Sequence, residues 1–308
     1  MIRLATRGSA LALAQARMVA DALVAGGARV ETLTIRTEGD RRADARLAAI
    51  GGKGLFVREI EHALLRGEAD VAVHSLKDLP AEMPDGLTLA VFPEREDPRD
   101  VLVTRAPGGL EDLPRGAVVG TSSPRRRAIV LSLRADLVVT PIRGNVDTRL
   151  AKLATGEWAA VLLAAAGLRR LGLAPRYTTP LPPDVFVPAI GQGVLAVQAR
   201  ADDAATLAAL APLDHAPTRA CALAERAFLA RLGGSCVTPM GAHARHASGR
   251  VVMDAIVAGE DGREVLRERG EGSVTTAESI GRRVAEALLA RGAATVAALR
   301  PAEVSGGR

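Results

Sequence analysis

The sequence predicts an α/β chain, with two domains built on mainly parallel sheets and then a small α+β domain. Three observations carry that expectation. Over the first two-thirds, short β-like runs alternate with segments of helical periodicity, the pattern of helix-covered parallel sheets. Two irregular stretches, the charged 94–100 and the proline- and glycine-rich 181–193, interrupt the alternation and read as two crossings between domains. After about Leu213 the alternation stops, and a helix, two strand-like runs and a closing helix follow. The boundaries this gives are 1–93 with 194–213 for a discontinuous first domain, 94–193 for the second and 214–308 for the third.

The elements follow in order. Ile2–Thr6 reads as a strand, and Ser9 caps a helix that runs to about Ala25, where Gly26-Gly27 stops it. Val30–Thr37 is a second strand. Phe56, Ile60 and Leu64 at i, i+4 spacing mark a helix over Leu55–Arg66. Asp70–His74 is a strand that runs into His74-Ser-Leu-Lys-Asp-Leu-Pro80. Val118–Thr121 is another, and Ser123 as N-cap with Pro124 at the first helical position starts the next helix. Strands at Leu137–Ile142 and Ala160–Ala164 flank a helix over Asn145–Thr155. A helix through Ala220–Leu232 ends at Gly233-Gly234, strands follow at Val251–Ala258 and Glu264–Gly270, and a helix over Ala277–Ala290 closes the pattern.

Composition narrows the classes of function. The 308 residues carry 40 basic and 35 acidic side chains, a mild excess of +5 that suits an acidic small molecule as well as nucleic acid. Aromatics make up only 2%, which counts against nucleic acid, because single-strand binding needs stacking platforms. No stretch approaches the ~20 apolar residues that span a bilayer. The run Ala10–Ala16, bracketed by Arg7 and Gln15, is too short for a signal segment. Cys221 and Cys236 form no disulfide framework and no C-x-x-C pair, so a reducing, cytoplasmic setting is expected.

Six arginines fall between Arg125 and Arg149, and their placement says more than their number. Thr121-Ser-Ser123 leads into a helix, whose first turn offers backbone N–H groups and the positive end of the dipole. Arginine adds a planar fork that grips carboxylate or phosphate at two points. Open α/β sheets bind ligands outside the carboxyl ends of their strands. Four polar motifs fall at such ends: Thr6-Arg7-Gly8-Ser9, His74–Asp78, Thr121–Arg126 and Arg143-Gly144-Asn145. Lys53, Lys77 and Lys152 are the only lysines, and Lys77 stands beside Asp78, a carboxylate that can stabilise a developing positive charge or shuttle a proton. Cys236 lies on the glycine-rich loop 233–241 and is the candidate nucleophile or attachment point, whereas Cys221 sits in a helical pattern and reads as packing. Gly51-Gly-Lys-Gly54 lacks the Ser or Thr of a phosphate loop. Arg127 and Arg134 read as solvated helix charges. These residues leave phosphate and carboxylate both open, and a non-catalytic two-domain anion-binding protein remains an alternative.

Taken together, several strings resemble one family, hydroxymethylbilane synthase, also called porphobilinogen deaminase. They are Ala5-Thr-Arg-Gly-Ser9, Gly51-Gly-Lys-Gly-Leu-Phe56, Val73-His-Ser-Leu-Lys-Asp78, Glu94-Arg-Glu-Asp-Pro-Arg-Asp100, Gly120-Thr-Ser-Ser123, Arg143-Gly-Asn145, Ala189-Ile-Gly-Gln-Gly193 and Gly234-Ser-Cys236, in family order over nearly the whole chain. The resemblance implies two domains of the periplasmic-binding-protein type. It implies a transferase that joins four porphobilinogen molecules head to tail with release of ammonia, on a dipyrromethane cofactor held by a thioether, and then releases hydroxymethylbilane. It further implies a cytoplasmic monomer acting on a small molecule. Cys236 matches the attachment position and Asp78 the catalytic aspartate. Ser9, Lys77, Asp78, Thr121, Ser123, Arg125, Arg126, Arg143 and Gly144 match cofactor-binding positions. Arg7, Ser9, Gln15, Lys53, Phe56, Arg143, Arg149 and Arg170 match substrate-binding positions. Pro124, where leucine is common in the family, and Ser235, where glycine is frequent, are departures that remove no required group.

Overall fold

A computed structural model describes residues 1–37, 57–233 and 238–299. The chain divides into two compact units: Met1–Pro98 with Ala164–Ala174 and Gln192–Arg219, and Arg99–Leu163 with Pro175–Gly191 and Ala220–Arg308.

In the first unit, β1 (Ile2–Thr6), β2 (Val30–Thr34), β3 (Val71–Ser75), β4 (Leu87–Val91) and β10 (Leu195–Arg200) form one sheet in the order β2-β1-β3-β10-β4. β1 runs parallel to both β2 and β3, while β10 is antiparallel to β3 and β4. Alternation along the strands supplies two buried faces. Leu4, Val71 and Val73 meet Ala16, Val19 and Leu23 of helix α1 (Ala10–Ala25). Ala5 and Ala72 meet Ile60, Ala63 and Leu64 of α2 (Arg58–Leu65). Each such leucine or isoleucine, fully buried, contributes about 1.5–3 kcal/mol. Leu195, Val197 and Ala199 of β10 join the first of these cores, so a strand from late in the chain completes a sheet begun at its start.

In the second unit, β5 (Asp100–Thr104), β6 (Val118–Gly120), β7 (Val138–Thr140), β8 (Ala160–Ala164) and β9 (Tyr177–Pro180) make a sheet in the order β7-β6-β8-β5-β9. β6 is parallel to β7 and β8, and β9 is antiparallel to β5. Both sheets are therefore parallel on one side and antiparallel on the other. Helix α3 (Pro124–Leu133) packs Ile129 and Val130 against Val119, Val139 and Leu162; α4 (Val146–Ala154) follows β7. Short α5 (Ala165–Arg170) follows β8 and belongs to the first unit, as does α6 (Ala204–Leu210), whose N-cap Asp203 accepts from Thr206 N.

Beyond α7 (Ala216–Leu232) the strands β11 (Met240–Ala247), β12 (Arg250–Ala258) and β13 (Val265–Ser273) form an antiparallel meander. Helix α8 (Ala277–Ala290) covers it with Ile280, Val284 and Leu288, and α9 (Ala293–Val296) ends the described chain. Glu225 of α7 is fully buried and accepts from Gly191 N at 2.6 Å and Ala244 N at 2.7 Å, fastening the helix to β11. The sequence expectation for β12 and α8 agrees to within a residue, whereas β2 and β7 are shorter than the apolar runs that mark them and α7 begins a turn earlier. β4, β5, β9, β10 and β11 are strands that the sequence pattern does not announce.

Candidate functional site

Because β1 and β3 are parallel and paired Leu4 to Val71, their carboxyl ends lie at one edge of the first sheet. Arg7 and Ser9 follow the end of β1 in the chain, and Lys77 and Asp78 follow the end of β3. The Ser9 hydroxyl accepts from Ala12 N at 3.3 Å, so it caps α1 as its position in the sequence requires. Gln15, buried one turn on, donates its amide to Ser75 Oγ at 2.9 Å. Leu76 N donates to Val194 O at 3.0 Å and Leu79 N to Leu76 O at 3.1 Å, which fixes the single 3₁₀ turn Leu76–Asp78 to the strand beside it. On that turn Lys77 is half-buried and Asp78 exposed.

His74 lies just behind. Gln198 Nε2 donates to Glu61 Oε1 at 3.1 Å, so Gln198 turns its carbonyl oxygen to His74 Nε2, which donates at 3.1 Å. Burial, and then the charge of Arg7, lowers the His74 pKa to about 4. The imidazole is thus neutral at pH 7 and adds no charge to the edge where Asp78 stands.

Arg170 of α5 donates from Nη2 to Gly193 O at 2.6 Å, and burial lowers its pKa to about 10 against the opposing pull of Glu96. Gly193 has φ +86°, and a Cβ there would collide with the Glu96 carbonyl. Glu96 N donates to Gly193 O, Arg95 Nε to Gln192 O and Gln192 Nε2 to Pro98 O, which zips 95–98 against 192–193 inside the first unit. Arg170 is part of that zip.

In the second unit the turn after β6 is over-determined. Thr121 N donates to Thr140 O, Ser123 N to Thr121 Oγ1 at 3.2 Å and Ser122 Oγ to Ile142 O at 2.8 Å. Ser123 Oγ accepts from Arg126 N at 3.4 Å and Pro124 opens α3, as the sequence predicts. The arginines then separate into two pairs. Arg125 and Arg126 are buried and both bind Asp100: Arg125 Nη1 donates to Oδ2 at 2.7 Å, and Arg126 Nε and Nη2 donate to Oδ1 at 2.9 and 2.7 Å. Burial lowers the Arg125 pKa, and Asp100 works against that. Arg143 and Arg149 are only half-buried. Arg149 Nε donates to Gly144 O at 2.8 Å, Lys152 Nζ to Arg143 O at 3.1 Å, and Gly144 takes φ +108° with Thr148 where a Cβ would go. No carboxylate among the described residues pairs with Arg149; burial, and then the charge of Arg126, brings its pKa down to about 10. A desolvated guanidinium with a second cation near it is a seat for an anion.

Two expectations change. Arg134 is not a solvated charge: it pairs with Asp136 at 2.7 Å and donates to the carbonyls of Leu110, Glu111 and Leu113, stapling that loop. Arg127 is exposed but likewise donates to Val139 O at 3.0 Å. The residue that sequence reasoning passed over is Asp100, whose one signal is a carboxylate opening an apolar run, Val101-Leu-Val103. Cys221 is buried on α7, in keeping with a packing role. Cys236, Lys53 and Phe56 lie outside the described residues. Among the described residues no His, Cys, Asp and Glu group is placed to hold a metal, and no helix is long and apolar enough to cross a membrane.

A family model described as "Porphobilinogen deaminase, dipyromethane cofactor binding domain" matches residues 2–208, and one described as "Porphobilinogen deaminase, C-terminal domain" matches 219–290. A porphobilinogen deaminase of Thiobacillus denitrificans is 48% identical over 303 residues, 98% of this chain and 99% of that protein. One of Desulforudis audaxviator is 50% identical over 295 residues, 95% of this chain and 96% of that protein. Among solved structures, a periplasmic substrate-binding protein of an ABC transporter from Coxiella burnetii is 16% identical, with a TM-score of 0.42 over 74% of this chain and 97% of that one.

Proposed function

The chain belongs to the porphobilinogen deaminase family, and we propose that its two sheet edges divide the work, the Asp78 edge serving the chemistry and the arginine edge holding carboxylates. The reaction is the head-to-tail joining of four porphobilinogen molecules with loss of ammonia at each step, which makes the protein a transferase of tetrapyrrole biosynthesis. The dipyrromethane cofactor, attached by a thioether to Cys236, supplies the primer to which pyrroles are added.

The donor set fits that group. Each pyrrole carries an acetate and a propionate, so the growing product is a polyanion. The start of α3 with Thr121 and Ser123, together with Arg126, Arg143 and Arg149, offers a dipole end and planar forks to carboxylates. Arg149, half-buried near Arg126 and paired with no carboxylate among the described residues, is the observation that carries this reading. Arg7, Ser9 and Lys77 give the first edge cations and a hydroxyl for the same groups, and Arg125 and Gly144 shape the second. Gln15 holds Ser75 beside the Asp78 turn, and Arg170 acts from the Gly193 segment; Lys53 and Phe56 are assigned from the family motif.

When the aminomethyl carbon of porphobilinogen loses its nitrogen as ammonia, the pyrrole is left cationic. A carboxylate fixed close by stabilises that charge, a role we assign to Asp78, whose exposure on a turn braced by Val194 supports the reading. We further assign residues 214–308 as the cysteine-bearing domain, supported by its own three-stranded sheet under α8. A monomer in a reducing cytoplasm suits the family.

Intact-mass measurement tests the tether. Purified protein is expected to carry an added mass of two pyrrole units, and Cys236→Ser to lose both the mass and turnover. Unmodified protein with full activity would refute the assignment.

A further inference from the structure

Asp100 opens β5 with its side chain fully buried. It meets two guanidiniums from adjacent residues in the first turn of α3, where each repels the other and the positive end of the helix dipole repels both. Further bonds run from Arg125 Nη1 to Val187 O at 2.6 Å and from Arg126 Nη1 to Leu162 O at 2.9 Å. A guanidinium has five N–H groups, so each terminal nitrogen of Arg126 has a second N–H beyond these bonds. The charge of Arg126 is felt at Arg149 on α4.

We propose that Asp100 is a positioning residue for carboxylate binding: by holding Arg125 and Arg126 side by side, it sets the plane in which the Arg126 fork is presented beside Arg149. The proposal rests on the reading of the arginine edge given above. A carboxylate is required because three N–H donors converge on two acceptor oxygens. Asparagine offers one oxygen and one NH2, so whichever way its amide turns, a donor faces a donor and two cations lose their counter-charge. Because the fork grips substrate in ground state and transition state alike, its misalignment raises KM and leaves kcat nearly unchanged.

The test compares the full-length wild type with Asp100→Asn, Asp100→Glu and Asp70→Asn. Asp70 is the control, since it too binds two arginines, Arg3 and Arg200, but in the first unit. KM and kcat for porphobilinogen, intact mass and thermal unfolding are measured for each. Asp100→Asn is expected to raise KM about tenfold with kcat within about twofold, and to show incomplete added mass. Asp70→Asn should lower the unfolding temperature without moving KM. Asp100→Glu, one methylene longer at the same charge, should raise KM by a smaller factor. Wild-type KM in folded Asp100→Asn overturns the proposal. If that variant does not fold, Asp100→Glu decides: a raised KM supports the role and an unchanged one removes it. A wild type that neither carries added mass nor consumes porphobilinogen marks failure of the functional reading itself, and the proposal falls with it.

Discussion

At the edge of the first sheet a carboxylate, Asp78, stands exposed on a braced turn between Lys77 and Leu79. In the second unit the carboxylate, Asp100, is fully buried under two arginines, and the half-exposed positions go to Arg143 and Arg149. The ingredients are the same, and burial sorts their roles. An exposed carboxylate has its field available to a ligand; a buried one spends it on its partners and acts only through them. The contrast repeats between the arginine pairs: Arg125 and Arg126 have Asp100 as a counter-charge, while Arg149 is desolvated without a carboxylate among the described residues.

The sharpest way to break this comparison is Asp78→Ala. Turnover should drop by roughly two to four orders of magnitude, with stability within about 0.5 kcal/mol of wild type because the side chain is exposed. Steady-state kinetics alongside urea unfolding decide it, and near-normal turnover would assign the chemistry elsewhere. Next comes the contrast between arginines. Arg125→Leu breaks a buried ion pair and should cost on the order of 3 kcal/mol of stability. Arg149→Leu should leave stability nearly unchanged and raise KM about tenfold; equal stability losses in the two would erase the distinction between the pairs.

The smallest effect concerns pH. The His74 pKa is about 4 in the folded chain against 6.5 for the free side chain. Between those values the unfolded chain binds the proton and the folded chain does not, so stability declines as pH falls from 6.5 to 4. The contribution is about 3 kcal/mol, and His74→Gln should flatten that limb in unfolding curves recorded across the range. No flattening would show that the buried imidazole is not what makes the first unit sensitive to acid.

What was legible in the sequence was local. Ser9, Ser123 and Pro124 announce their helix starts because capping is a short-range interaction. Arg7, Asp78 and Thr121 fall at strand ends because apolar runs stop there. What was hidden depends on partners distant in the chain. Met240–Ala247 is rich in alanine and histidine, and it is a strand because all eight of its residues pair with β12. Asp100 reads as the end of a charged linker until Arg125 and Arg126, 25 and 26 residues on, close over it. Arg134 likewise looks solvated until the 110–113 loop supplies its carbonyls.

The placement of β10 has a consequence for how this chain is made. β3 and β4 are not neighbours in their sheet; β10 lies between them and bonds to both. When β4 leaves the ribosome, the strand that joins it to β3 is still about a hundred residues from being translated, roughly 5–20 s at ordinary synthesis rates. For that interval Val73 and Val91 belong to strands whose shared partner does not yet exist. The first part of the protein to be synthesised is therefore unable to finish folding first, and its open strand edges are what a nascent-chain chaperone would have to shield.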